Sequence, residues 1–257
     1  MSSFDQFVNL HQQTEPLLIG NVWSAQSARV LENLKLKALA TSSSAVAETL
    51  GYPDGEVMSF DEYIFVVKRI SASCSLPLSV DLEAGYGKSI DEIVANITKL
   101  HSLGIVGVNI EDSVIEAGTR KMVNAEVFAE KLRHISGALS SQRISLFINV
   151  RCDAYLLGVP DARKEGIRRM KLYEAQGIHG QFLPCITNID DIKASVAATK
   201  LPLNVMCMPD LPDFATLKSA GVKRISMGNS LNHAVYQSME RKMQQVIIDR
   251  NFSSLLH

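Results

Sequence analysis

The stretch Leu76-Pro77-Leu78-Ser79-Val80-Asp81-Leu82-Glu83-Ala84-Gly85-Tyr86-Gly87 decides how this chain is read. Its first half is a short apolar run entered through a proline, which predicts a β-strand. Asp81 and Glu83 lie two residues apart, and side chains at that spacing on a strand share a face. Two acids on one face repel each other and lose hydration unless positive charge sits between them. A hard divalent cation meets that need. Mg²⁺ takes oxygen ligands, keeps several waters and uses only one or two protein carboxylates, and Mn²⁺ can stand in for it. Gly85 and Gly87 then allow a tight turn with room for a ligand.

Outward from this stretch, strands and helices alternate. Strands are predicted at Leu17 to Trp23, Ala38 to Ser43, Ile105 to Ile110, Ile144 to Val150, Gly180 to Leu183, Leu201 to Met206 and Arg224 to Met227. Helices are predicted between them, with Ser24, Ser89 and Asn124 as N-caps and Glu92 completing a capping box with Ser89. Phe4 to Gln13 reads as a short amphipathic helix, Val114 to Val123 as a polar loop, and Leu231 to Asp249 as a long last helix. The strands are short and apolar, as in a parallel sheet buried on both faces. Eight β/α units predict an α/β (β/α)8 TIM barrel in one domain, 1–257. The alternative, a doubly wound open sheet binding a dinucleotide, lacks its G-x-G-x-x-G signature.

The chain has 257 residues, 46% of them hydrophobic, and a net charge of −1. That is enough apolar content for one large core, and the balance of charge argues against nucleic acid or an anionic membrane as partner. Cys74, Cys152, Cys185 and Cys207 are scattered, which suits reduced thiols and no structural zinc. No apolar run reaches the roughly 18 residues of a membrane span, and Met1 to Thr14 lacks the layout of a signal peptide. A cytoplasmic protein is expected.

In a barrel, function sits at the C-terminal ends of the strands. Those ends carry Trp23, Ser42, Ser43, Asp81, Glu83, Glu111, Arg151, Cys185, Asn204, Asn229 and Ser230. Glu111 joins Asp81 and Glu83, and Asp54 in the loop after the second strand supplies a fourth carboxylate. Arg151 faces them from the fifth strand, and its planar fork suits a carboxylate or phosphonate, although an ion pair with Asp153 or Glu111 would also occupy it. The set suits a small dianionic acid bound with Mg²⁺, its charge building on oxygen as an enolate. The histidines form no triad with Ser42 or Ser43, so a serine hydrolase is not proposed.

Asn21-Val22-Trp23, Thr41-Ser42-Ser43-Ser44, Gly51-Tyr52-Pro53-Asp54-Gly55, Val80 to Gly87, Asn109-Ile110-Glu111-Asp112-Ser113 and Asn149-Val150-Arg151-Cys152-Asp153-Ala154 together resemble the isocitrate lyase/phosphoenolpyruvate mutase superfamily, in order along nearly the whole chain. The resemblance implies Mg²⁺ held by Asp81, with Asp54, Glu83 and Glu111 acting directly or through water. It implies an α-keto acid enolate, with Trp23, Ser42, Ser43 and Arg151 binding substrate carboxylates and Asn204 among the substrate-binding positions. It also implies a dimer or tetramer in which the C-terminal helix is exchanged between subunits. Glu111, Arg151 and Thr119 are the candidate catalytic residues. One departure bears on the reaction. The lyase branch carries K-x-C-G-H in the loop after strand four, whereas this loop reads Val114-Ile115-Glu116-Ala117-Gly118-Thr119-Arg120-Lys121. The expectation is a carbon–carbon lyase or decarboxylase of the oxaloacetate type. A phosphonopyruvate mutase or hydrolase and a non-catalytic metabolite-binding homologue are the alternatives.

Overall fold

A computed structural model describes residues 2–256. In chain order its elements are α1 (Ser3–Leu10), β1 (Leu17–Leu18), β2 (Gly20–Val22), α2 (Ala25–Asn33), β3 (Leu39–Thr41), α3 (Ser43–Thr49), α4 (Phe60–Ser71), β4 (Leu78–Asp81), α5 (Ile90–Ser102), β5 (Gly107–Glu111) and the hairpin strands β6 (Ser113–Glu116) and β7 (Thr119–Met122). There follow α6 (Ala125–Ser141), β8 (Phe147–Arg151), α7 (Ala162–Glu174), β9 (Gly180–Phe182), α8 (Ile189–Ala197), β10 (Leu203–Met206), α9 (Phe214–Ser219), β11 (Arg224–Ser226), α10 (Ser230–Asp249) and α11 (Ser253–Leu256).

The main sheet runs β1-β11-β10-β9-β8-β5-β4-β3-β2, and every pairing in it is parallel. Its two end strands, β1 and β2, are one stretch of chain interrupted only at Ile19. Leu17 and Leu18 pair with β11, Gly20 to Val22 pair with β3, and Ile19 still donates its amide to Ile225 at 2.9 Å. The ends of the sheet therefore meet, and the predicted eight-stranded barrel is what results. No helix among the described residues is long and apolar enough to cross a membrane.

Strand parity sorts the side chains into two cores. Val80, Val108, Ile110, Ile148, Val150, Leu203 and Val205 point outward into a cluster shared with the helices. On α5, Ile93, Ile97 and Leu100 fall at helical spacing on the buried face, and each contributes roughly 1.5–3 kcal/mol by leaving water. Inside the barrel, Leu17, Ile19, Ala38, Ala40 and Phe147 form a second, smaller cluster with Val106 and with Phe7 of α1. The first helix thus plugs the N-terminal end of the barrel, leaving the C-terminal end for the site.

Some local expectations change. The 114–123 segment is a two-stranded antiparallel hairpin rather than a loop. Its turn residues Ala117 and Gly118 both have positive φ, 49° and 76°, the twist that closes a tight hairpin. Ser42 and Ser43 leave the strand early: Ser42 caps α3, its hydroxyl accepting from the Ala45 amide, and Ser43 is already helical. The capping box on α5 is half formed. Ser89 accepts from the Glu92 amide, but the Glu92 carboxylate takes the Lys88 amide instead.

Candidate active site

The strand β4 ends at Asp81, so Asp81 and Glu83 do not share a strand face. Glu83 has φ +49°, a left-handed conformation that costs a non-glycine residue free energy. Leu82 and Gly85 close a turn between them, the Gly85 amide donating to the Leu82 carbonyl at 2.8 Å. The turn returns Glu83 toward β5, where its carbonyl accepts from the Glu111 amide at 2.9 Å. The acids converge through this turn and not through strand periodicity.

Asp54, Asp81 and Arg151 line a cleft of about 270 Å³ at the C-terminal end of the barrel, together with Ser42, Ser43, Ser44, Asn21, Asn109, Arg120, Ser226 and Asn229. A wider cleft of about 640 Å³ lies at the opposite end, against Phe4, Arg143 and His179, and carries no comparable chemistry. Asp81 accepts from the Ser43 hydroxyl at 2.8 Å, and its amide donates to Thr41 Oγ1 at 3.0 Å. Tyr63 donates to the Asp81 carbonyl at 2.8 Å. Arg151 is split between two acids: Nε donates to Asp153 at 2.6 Å and Nη1 lies 3.0 Å from Glu111 Oε2. The structural ion pair foreseen for Arg151 is therefore real, and it leaves the residue on the cleft wall.

Arg120 enters from the hairpin. Its Nη2 lies 3.0 Å from Asp54, its Nη1 contacts Glu111 and donates to the Ser113 hydroxyl at 2.9 Å, and Asp153 is 3.6 Å away. Asp54, Glu111 and Asp153 thus pair with the two guanidinium groups, while Asp81 and Glu83 add further carboxylates nearby. Negative charge remains in excess. Burial, then the charges of Asp54, Asp81 and Glu111, push the Glu83 carboxyl up to about 9, and Tyr86 donates to it at 2.8 Å. Burial also raises Glu111 and Asp54, against the pull of Arg151 on the first and Arg120 on the second. Burial works against charge on Arg151, but Glu111, Asp153 and Asp81 more than offset it.

A floor of amides supports the cleft. Asn149 donates to Asn109 at 2.9 Å, Asn204 donates to Ser226 at 3.0 Å, and Asn21 holds the Thr41 carbonyl and the Met227 amide. Asn204 is buried beneath the cleft and acts through Ser226 rather than on its wall. Trp23 is half-buried against the outer core and Thr119 is exposed. Neither lines the cleft. Sequence reading passed over Asn21, Asn109 and Ser226, although their inward parity was readable once the strands were placed.

Behind the wall, buried Asp112 ties three elements together. It accepts from Arg169 Nη1 at 3.0 Å, from Tyr173 at 2.8 Å and from the Asp153 amide at 3.0 Å. Arg169 also donates to the Val123 carbonyl. The ends of β5 and β8 and the exit of the hairpin are thereby fixed to α7.

All candidate metal donors here are carboxylate oxygens, which suits a hard cation. Glu111 Oε2 is buried and, although close to Arg151, has no hydrogen bond of good geometry. No three His, Cys, Asp or Glu side chains among the described residues converge closely enough to cage one ion. These oxygens are of the chemical class a hard cation takes, and Mg²⁺ needs only one or two of them directly because it keeps its waters.

These features define an α/β barrel with an acidic cleft into which two arginines are set. The description of the phosphoenolpyruvate phosphomutase family matches residues 7–247, and the chain belongs to that family of enzymes. An oxaloacetate decarboxylase of Bradyrhizobium sp. strain BTAi1 is 28% identical over 232 residues, 86% of this chain and 78% of that protein. A solved structure from Burkholderia cenocepacia J2315, provisionally assigned as a phosphonomutase, is 32% identical. It superposes with a TM-score of 0.88 over 94% of this chain and 99% of its own. A 2,3-dimethylmalate lyase of the PEP mutase/isocitrate lyase superfamily has a TM-score of 0.86 at 18% identity, covering 98% of this chain and 90% of that one, a likeness of fold.

Proposed function

We propose that this enzyme acts on a small 2-keto or 2-hydroxy dicarboxylic acid of the oxaloacetate type, through an enolate, with Mg²⁺ as cofactor. The observation that carries the reading is the pairing of Arg151 with the acidic wall of Asp54 and Asp81 in a cleft of about 270 Å³. That volume suits a four- or five-carbon acid and little more. The names of relatives such as the oxaloacetate decarboxylase support it.

Asp81 would hold Mg²⁺ directly, with Asp54, Glu83 and Glu111 reaching it through water. When bound, the ion supplies Lewis-acid stabilisation of negative charge on the keto oxygen. The chain's own residues do the rest. Arg151 binds one substrate carboxylate and is kept in place by Asp153. Ser42, at the N-cap of α3, offers its hydroxyl hydrogen to the other carboxylate, and Ser43 joins it when its hydroxyl turns away from Asp81. Cleavage of the C–C bond would release CO₂ and leave the electron pair as the enolate of pyruvate, whose carbon then takes a proton from water to give pyruvate, with the hairpin standing over the cleft while the charge builds on oxygen. Phosphonopyruvate is the second reading, because the Burkholderia cenocepacia neighbour is provisionally a phosphonomutase.

A homo-oligomer belongs to the same proposal. Only Asn232 of α10 is buried, while Val235, Tyr236, Met239, Met243, Ile247 and Ile248 are exposed. An apolar helix face of that extent fits a second copy of the chain.

Binding of oxalate, measured by calorimetry, tests the site. The parent should bind oxalate only with Mg²⁺ present, and Asp81→Ala should lose that binding while keeping its circular dichroism spectrum. Equal Mg²⁺-dependent affinity in the variant would remove Asp81 from the site.

A further inference from the structure

The hairpin β6–β7 is docked on the site by two side chains of one face. Ile115 and Arg120 are cross-strand partners, so both project to the same side. Ile115 seats over Gly55, where an added Cβ would lie 2.2 Å from Ile115 Cδ1. Next to Gly55 is Asp54, and there Arg120 makes its ion pair. The other carboxylate that Arg120 engages is Glu111.

We infer that Arg120 is an internal cation that competes with the divalent metal for Asp54 and Glu111. The inference rests on the Mg²⁺ reading above. The guanidinium occupies Asp54 Oδ2 and Glu111 Oε1, two of the oxygens that metal-bound waters would use. It also supplies the positive charge that the buried acids lack. A divalent ion brought to the same two carboxylates would face the guanidinium at close range, and the repulsion between them weakens the hold of each. Binding of Mg²⁺ therefore displaces Arg120 from these acids, and the hairpin, which meets the Asp54 loop through Ile115 and Arg120, loosens with it. Lys121, the next residue, bears the same charge but is exposed and pairs with Glu116 at 3.6 Å.

Titration of the full chain with Mg²⁺ alone, by calorimetry, tests this. Arg120→Gln should bind Mg²⁺ roughly tenfold more tightly than the parent, while Lys121→Gln should change affinity little. Hydrogen exchange supplies a second readout: Mg²⁺ should speed exchange of the 113–122 amides in the parent. Equal affinity in the parent and in Arg120→Gln, or the same gain in both variants, would overturn the competition. If Mg²⁺ binding is still lost in Asp81→Ala, the metal reading survives that result. Failure of parent and Arg120→Gln alike to bind Mg²⁺ would overturn both.

Discussion

Arg151 concentrates the chemistry of single residues. Its guanidinium is held by Asp153 and Glu111, and its remaining donors face the cleft. Lysine keeps the charge but loses the fork, so Arg151→Lys should raise KM for a dicarboxylic acid about 10- to 100-fold. Steady-state kinetics on the purified variant checks this, and an unchanged KM would take Arg151 out of substrate binding. Residue types were legible in the sequence, because Asp, Glu and Arg at strand ends carry their chemistry with them. Position was less so. Thr119 was favoured in the hairpin, yet Arg120 reaches the acids, since strand parity turns Thr119 and Lys121 outward. That parity is invisible while 114–123 is taken for a loop. Strand spacing does not bring Asp81 and Glu83 together, because β4 ends at Asp81 and Glu83 is carried by a left-handed turn, a tertiary feature that no local pattern announces.

Elements hold the site in place, and α1 and α7 do so from opposite ends. His11, just after α1, is buried, stacked on Phe147 at 4.4 Å, and its Nδ1 donates to the Phe7 carbonyl at 2.8 Å. Its other nitrogen has no partner, so the ring is neutral. Burial, aided by the charge of Arg224, lowers its pKa to about 3. The unfolded chain takes up this proton near 6.5, while the folded chain does not until about 3. The stability His11 contributes is thus intact above 6.5 and lost as pH falls from 6.5 toward 3, by on the order of 4 kcal/mol in full. His11→Phe keeps the stacking and removes the titration. Urea midpoints at pH 7 and 4.5 should fall further in the parent than in the variant, and parallel losses would contradict the assignment. On α7, Arg169→Met would leave Asp112 buried without its cation, for a loss of about 3–5 kcal/mol, measurable by the same unfolding curves. Loss under 1 kcal/mol would mean that Tyr173 and the Asp153 amide suffice. Helix caps such as Ser24 and Asn124 were readable because their signal lies within four residues. The helix at Ser43–Thr49 was missed because its serines look like the end of a strand.

At the scale of the whole molecule, the barrel was legible because its signal is repeated: short apolar strands alternating with capped helices leave few other closures. Assembly of copies is not legible in the same way, since an apolar helix face reads the same whether it packs on its own core or on a neighbour. Here α10 packs on almost nothing of its own chain. The double substitution Met243→Glu with Ile247→Glu should therefore lower the mass measured by sedimentation equilibrium to that of one chain, while the parent sediments as a dimer or larger. A parent that is monomeric at micromolar concentration would remove the exchange of the C-terminal helix from the account.

Enolate chemistry on a small keto acid with Mg²⁺ is measured most directly as turnover of oxaloacetate and phosphonopyruvate, followed by the appearance of pyruvate or, from phosphonopyruvate, phosphoenolpyruvate. The account predicts pyruvate from oxaloacetate with Mg²⁺ present, loss of that activity on chelation and its return when Mg²⁺ is restored. Turnover unaffected by chelation, or no product from either acid while oxalate still binds with Mg²⁺, would contradict it.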